Sequence, residues 1–186
     1  ILDLNDIDFF LLPSTEKNYQ KETLDLINIS KEKRLSSKFF RHIQSSEILV
    51  TDHPNMNTFD SKNLIQYIPI WISKWLKEKY IKNKSNNNSN LPKKIYIDRS
   101  DSSSIAKDLR LITNEDEIKN LLIKIGFEII KLGDFHFNDQ VKIFNNAEII
   151  VGLHGAGFGN LCFCRSGTKI IELKNTTDGK MFDNLA

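Results

Sequence analysis

Residues 148–172, EIIVGLHGAGFGNLCFCRSGTKIIE, constrain the fold of this chain more than any other stretch. An apolar run, Ile149, Ile150 and Val151, stops at Gly152. His154-Gly155-Ala156-Gly157 follows, then a short apolar helix near residues 158–163, then a second apolar run that closes on Glu172. A strand buried on both faces of a parallel sheet reads as just such a run. Glycines allow positive φ and a close approach of backbone to ligand. The free N–H groups that open a helix carry partial positive charge suited to an anion. The pattern predicts strand, phosphate-sized turn, helix and strand, with His154 at the carboxyl edge where open α/β sheets take ligands.

The rest of the chain extends this pattern. Its 186 residues suit one domain or two small lobes sharing a cleft. The polar segment KNKSNNNSNLPK, residues 82–93, has the composition of a linker. It divides an N-terminal lobe, residues 1–81, from a C-terminal lobe, residues 94–186. In the second lobe Ile95, Tyr96 and Ile97 form a short strand, and Thr113 with Asp116 offers a capping box. Ile118, Leu121, Leu122 and Ile125 fall on one helical face that Gly126 ends. Phe127, Ile129 and Ile130 make a strand, and Asn138 caps a short helix carrying Val141 and Phe144. This β-α-β-α-β-α-β order predicts an α/β fold with a parallel sheet and right-handed crossovers.

In the first lobe, residues 9–12 and 48–50 read as strands and residues 19–29 as a helix. Leu64, Ile65, Ile68, Trp71, Ile72, Trp75 and Leu76 keep helical spacing, with Pro69 either kinking that helix or opening its regular part. Trp71 and Trp75 read as core or lobe-interface residues.

Lys plus Arg number 26 against 24 Asp plus Glu, so a net charge of +2 offers no broad field for nucleic acid or membrane. No apolar run is long enough to span a bilayer, and Asp3, Asn5, Asp6 and Asp8 give the opening no leader pattern. A cytoplasmic location is the expectation, with a secretory lumen the alternative if a signal or anchor has been removed. Cys162 and Cys164 stand two apart and form no metal quartet, and His42, His53 and His136 share no ligand spacing with His154. No metal is expected.

Several short motifs then run through the C-terminal lobe in order. They are Tyr96-Ile97-Asp98-Arg99, Arg110-Leu111-Ile112-Thr113-Asn114-Glu115, Gly126-Phe127, and Gln140 with Phe144 and Ala147. His154-Gly155-Ala156-Gly157 with Asn160, Gly167, and Ile171-Glu172-Leu173 complete the set. Together they resemble glycosyltransferase family 61, which includes capsular polysaccharide enzymes, plant xylosyltransferases and EGF-domain O-GlcNAc transferases. The resemblance covers about half of the chain. Phe158-Gly159 departs from the family's usual Leu-Thr, and Asp139 from the usual Glu before Gln140. It implies a GT-B-like fold of two Rossmann-like lobes. It also implies inverting transfer from a nucleotide sugar, a UDP-sugar first, to a hydroxyl of a glycan or protein acceptor, usually without a bound metal.

On that reading the turn Gly155-Ala156-Gly157 and the helix behind it hold the donor diphosphate, and otherwise serve packing. His154 either donates to the diphosphate or shapes the turn. Arg99 and Arg110 would meet the charge of the departing diphosphate, or form surface ion pairs. Asn114 and Glu115 match the family and also suit a helix start. Asn160 touches phosphate or caps the turn. Glu172, a carboxylate in an apolar strand, needs donors: ribose hydroxyls or a buried structural partner.

Inverting transfer needs a base for the acceptor hydroxyl. The candidates are Asp52, His53 and Asp60 in TDHPNMNTFD, which otherwise form a polar turn. Two rival functions remain in view. One is a nucleotide-sugar-binding module without its base. The other is an NAD-type oxidoreductase, disfavoured because Asn160 stands where a dinucleotide fingerprint has its third glycine.

Overall fold

The structure is a computed structural model that describes residues 3–13, 15–51, 68–81, 90–100, 111–175, 179, 181–183 and 185. The chain forms two compact units, one of Ile1–His53 with His136–Asn138, the other of Pro54–Phe135 with Asp139–Ala186. No helix among the described residues is long and apolar enough to cross a membrane.

In the first unit β1 (Phe10–Leu12) pairs in parallel with β2 (Arg34–Ser36), Leu11 opposite Leu35. Helix α1 (Asn18–Leu26) makes the crossover. It ends three residues earlier than its apolar pattern predicts, because Asn28 takes a φ of 62° and the N–H of Ile29 turns back to the carbonyl of Leu24. Asn is among the few side chains that tolerate that conformation. The Arg34 guanidinium, bonded to the Ile29 carbonyl and the Asp25 carboxylate, ties β2 to the end of α1. Residues 48–50, expected as a strand, form none. Ile48, Leu49 and Val50 are exposed, and no strand among the described residues lies beside them to complete a ladder.

The second unit is built on four parallel strands. They are β3 (Lys94–Asp98), β4 (Glu128–Lys131), β5 (Ile149–Leu153) and β6 (Lys169–Leu173), in the spatial order β4-β3-β5-β6. Tyr96 stands opposite Ile129 on one side and Val151 on the other. On one face Tyr96 and Val151 pack with Leu122 of α3 (Glu115–Lys124) and with Phe127. On the other, Ile97 and Gly152 meet Phe158. The central strands are thus covered on both sides, which is why their sequence is a continuous apolar run.

Helix α3 ends at Gly126 with φ 87°, as its sequence predicts. Its start differs. Asn114, rather than Thr113, is the N-cap residue, and no side-chain cap bond forms. Helix α4 (Phe137–Asn146) begins one residue ahead of the expected cap Asn138. Its first N–H, on Phe137, is taken by the Glu22 carboxylate at 2.5 Å, so the capping oxygen comes from far along the chain. The segment after the glycine bend is a 3-10 helix, Ala156–Phe163, two residues longer at its start than predicted.

The units do not part at the polar segment 82–93. Helix α2 (Ile70–Tyr80), with Pro69 at its N-cap, belongs to the unit that holds the four-stranded sheet. It packs on the 3-10 helix, where the Tyr80 ring meets Phe163 edge-on at 6.2 Å. Trp71 is 60% exposed and Trp75 37%, so of the two roles expected for them, core or lobe interface, neither residue takes the first.

Candidate functional site

Strand order locates the site before any side chain is considered. The chain runs from β3 to β4 on one side, then returns to place β5 on the other side of β3. In open α/β sheets ligands bind in the crevice beyond the carboxyl ends of the strands where the order reverses. Here those ends are Asp98-Arg99 on β3 and Leu153-His154-Gly155 on β5. A depression of about 700 Å³ lies at the opposite, amino end of the same strands, lined by Lys93, Glu128, Glu148, Arg165 and Thr168. The switch-point rule assigns it no ligand, and its Lys93–Glu148 pair is an exposed ion pair.

At the crevice, Arg99 spans the reversal. Its Nη1 donates to the carbonyl of His154 at 2.9 Å. Gly155 lies flat against the same guanidinium, so that a Cβ there would fall 2.9 Å from Arg99 Cζ. Gly157 is equally confined, its absent Cβ 3.0 Å from Leu132 Cδ1 and 3.1 Å from Ile97 Cγ2. The bend is not sealed. Ala156 and Gly159 are exposed and Gly157 half-buried, whereas Phe158 beneath them is buried.

His154 is buried, with its backbone N–H on the Leu173 carbonyl at 2.8 Å and its ring 5.1 Å from that of Phe182. Its Nδ1 lies 2.5 Å from Glu172 Oε1 on the neighbouring strand. The other oxygen of Glu172 meets Lys174 Nζ at 3.2 Å, and Lys174 also pairs with Asp183 at 3.5 Å. These partners, the hydrogen bond to Glu172 first among them, raise the pKa of Lys174. Glu172 therefore has the protein partners that a carboxylate in an apolar strand requires.

Glu115 turns inward at the start of α3. Tyr96 Oη donates to it at 2.8 Å, and Lys119 bridges it at 3.4 Å and Asp98 at 3.2 Å. Asp98 also accepts from the Ser100 N–H at 2.8 Å. Burial works to raise the pKa of Asp98, but the Ser100 N–H and Lys119 outweigh it and hold the carboxyl below its usual value. Burial, with the Glu115 hydrogen bond, pushes the Tyr96 phenol well up. Asn114 sits at the mouth of the helix, its amide 3.5 Å from Glu117. Asn160 is committed elsewhere: its amide donates to Gln140 Oε1 at 3.0 Å, and Gln140 in turn donates to the Leu132 and Phe135 carbonyls.

The structure thus brings Arg99, His154, Gly155, Ala156, Gly157 and Glu172 to one edge, with Glu115 in a half-buried network at the start of α3. Arg110 and the base candidates Asp52, His53 and Asp60 lie outside the described residues. Sequence reasoning missed the roles of Lys119, Lys174 and Phe182, and saw Asp98 only as part of a motif. Asp98 had a usable signal, since a carboxylate closing an apolar strand needs a partner just as Glu172 does. Among the described residues, no group of three or more His, Cys, Asp or Glu is placed to hold a metal ion.

Residues 10–171 match the family described as Glycosyltransferase 61. The EGF domain-specific O-linked N-acetylglucosamine transferase of Gallus gallus is 32% identical over 84 residues, which are 42% of this chain and 16% of that protein. Its counterpart in Mus musculus is 34% identical over 84 residues, with the same shares. That of Drosophila melanogaster is 32% identical over 80 residues, 41% of this chain and 15% of its own. The match therefore spans less than a fifth of the length of these relatives.

Proposed function

Because the chain belongs to glycosyltransferase family 61, we propose that it moves a sugar from a UDP-sugar to a hydroxyl of a glycan or protein acceptor, with inversion. One observation supports this most: a solvent-accessible glycine bend laid directly on the Arg99 guanidinium at the switch point of a parallel sheet. In the transfer, the acceptor oxygen bonds to the anomeric carbon as the bond from that carbon to the diphosphate oxygen breaks. The nucleoside diphosphate leaves with the electron pair, and its growing negative charge is what catalysis must stabilise. Arg99 and the amides of the bend supply that charge complement, and Gly155, having no side chain, lets the Arg99 guanidinium lie against the bend. The acceptor's proton goes to a base, for which Asp52, His53 and Asp60 remain the candidates. On this reading the four-stranded unit is the donor lobe of a GT-B pair.

The relatives are named for N-acetylglucosamine, which makes UDP-N-acetylglucosamine the first donor to test. Incubation of the protein with that donor and an EGF-like domain, followed by intact-mass measurement of the acceptor, should show a gain of one N-acetylhexosamine. Arg99→Ala should reduce the rate by about 100-fold, as loss of one charge-stabilising donor does elsewhere. UDP binding with neither transfer nor donor hydrolysis, over a panel of UDP-sugars and acceptors, would instead assign a binding module.

A further inference from the structure

The 3-10 helix Ala156–Phe163 runs for eight residues, and runs of that geometry beyond about four are uncommon because their hydrogen bonds are poorly aligned. Such an element leans on its neighbours. Its first internal bond runs from the Phe158 N–H to the Gly155 carbonyl at 3.0 Å, so the amides of Ala156 and Gly157 have no acceptor within the helix. They are the amides that the donor reading turns toward a diphosphate.

Helix α4 braces the 3-10 helix at two points, each time with an amide side chain. At the far end Asn145 Nδ2 donates to the Phe163 carbonyl at 3.0 Å. Nearer the bend, Gln140 Oε1 accepts from Asn160 Nδ2 at 3.0 Å. Gln140 Nε2 donates to the carbonyls of Leu132 at 2.9 Å and Phe135 at 3.1 Å. Residues three apart eclipse on a 3-10 helix, so Asn160 stands over Gly157. Gly157 in turn lies against Leu132, its absent Cβ 3.0 Å from Leu132 Cδ1. Gln140 therefore holds one turn from two sides: Asn160 on the helix itself, and the Leu132 that backs Gly157. Its amide serves only one way round. Reversed, it would set donor against donor at Asn160 and an oxygen against two carbonyls.

We propose that Gln140 is a positioning residue of the donor site, acting through Asn160 and Leu132 to hold the Ala156 and Gly157 amides at the crevice. This rests on the donor-site reading for the ligand, but not for the strut. Asn145 supplies the comparison, because it joins the same two helices with the same chemistry at the end away from the bend.

Two measurements test it. The first is calorimetric affinity for UDP and for uridine. Gln140→Met keeps the bulk of the side chain and removes its hydrogen bonds to Asn160, Leu132 and Phe135. It should weaken UDP about tenfold, the scale of one hydrogen bond to a charged group, and leave uridine, which has no phosphate for the amides, unchanged. Asn160→Ala breaks the strut from its other side and should give the same loss, so the test survives a Gln140→Met variant that does not fold. The two substitutions together should cost no more than one alone. Asn145→Ala should lower the melting temperature and leave UDP affinity as it was. Equal losses of UDP affinity from the two struts, equal losses for UDP and uridine, or no loss in Gln140→Met and Asn160→Ala overturns the proposal. The second measurement is the backbone ¹⁵N–¹H spectrum of the unliganded protein. Gln140→Met should move the Ala156 and Gly157 signals, and Asn145→Ala should leave them in place. Signals that stay put in Gln140→Met, or that Asn145→Ala moves as far, overturn it too. Wild-type protein that binds no UDP sinks the donor site, and the amide spectrum still decides whether Gln140 sets the bend.

Discussion

At the scale of single residues, the glycines of the bend are required by space rather than by backbone conformation. The sequence suggests positive φ in His154-Gly155-Ala156-Gly157, yet among the described glycines only Gly126 and Gly167 adopt it. Gly155 has a φ of 161°, extended backbone open to any residue, and what excludes a side chain there is Arg99. This separates two substitutions that look alike. Gly155→Ala should push the flexible Arg99 side chain aside, lowering UDP affinity about tenfold or more with little change in melting temperature. Gly157→Ala presses on half-buried Leu132 and buried Ile97 and should cost about 1–3 kcal/mol of stability. Titration with UDP and urea unfolding of both variants check this; equal effects on both quantities would contradict it. Asn160 shows the limit of residue-level reading, because a polar residue after a glycine bend suits phosphate as well as it suits Gln140. Only the fold brings α4 alongside and decides where the amide goes.

At the scale of elements, the carboxyl end of β3 and the first turn of α3 are joined by Tyr96, Glu115, Lys119 and Asp98. The pKa of Asp98 is lowered on folding, so its contribution to stability is present above the unfolded value and lost as pH falls through the folded one. That of Lys119 is raised despite the opposing effect of burial, chiefly by Asp98, so its contribution is present at neutral pH and lost at strongly alkaline pH. Asp98→Asn should therefore destabilise the protein at about pH 7, and the gap from wild type should narrow by about pH 2. Urea unfolding at the two pH values measures it, and a constant gap would count against the network. The elements themselves were unequally legible. Helix α3 and strands β3 to β6 follow from apolar periodicity and a glycine stop, since burial against the sheet imposes that pattern directly. Strand β2, three half-buried residues opened by Arg34, has no such signature, and residues 48–50 have the signature without a partner strand among the described residues. The start of α4 was illegible for a different reason: the oxygen that caps it belongs to Glu22.

At the scale of the whole molecule, the parallel sheet and its order turn scattered motifs into one site. Arg99 and His154 are 55 residues apart in sequence, and only the reversal between β3 and β5 makes them neighbours. Sequence order alone could place each at a strand end. It could not show that Arg99 lies under the bend or that Glu172 faces His154 across β5 and β6. The same order would serve a dinucleotide, so the fold alone does not choose between a nucleotide-sugar enzyme and an oxidoreductase. Family membership and the bend against Arg99 favour the nucleoside diphosphate. A ligand that binds only the native state raises its melting temperature as its concentration passes the dissociation constant. The most direct test is thus the melting temperature of this chain titrated with UDP and, in parallel, with NAD. The account predicts a saturable rise with UDP that Arg99→Ala abolishes, and none with NAD; a flat response to UDP, or a rise with NAD alone, would contradict it.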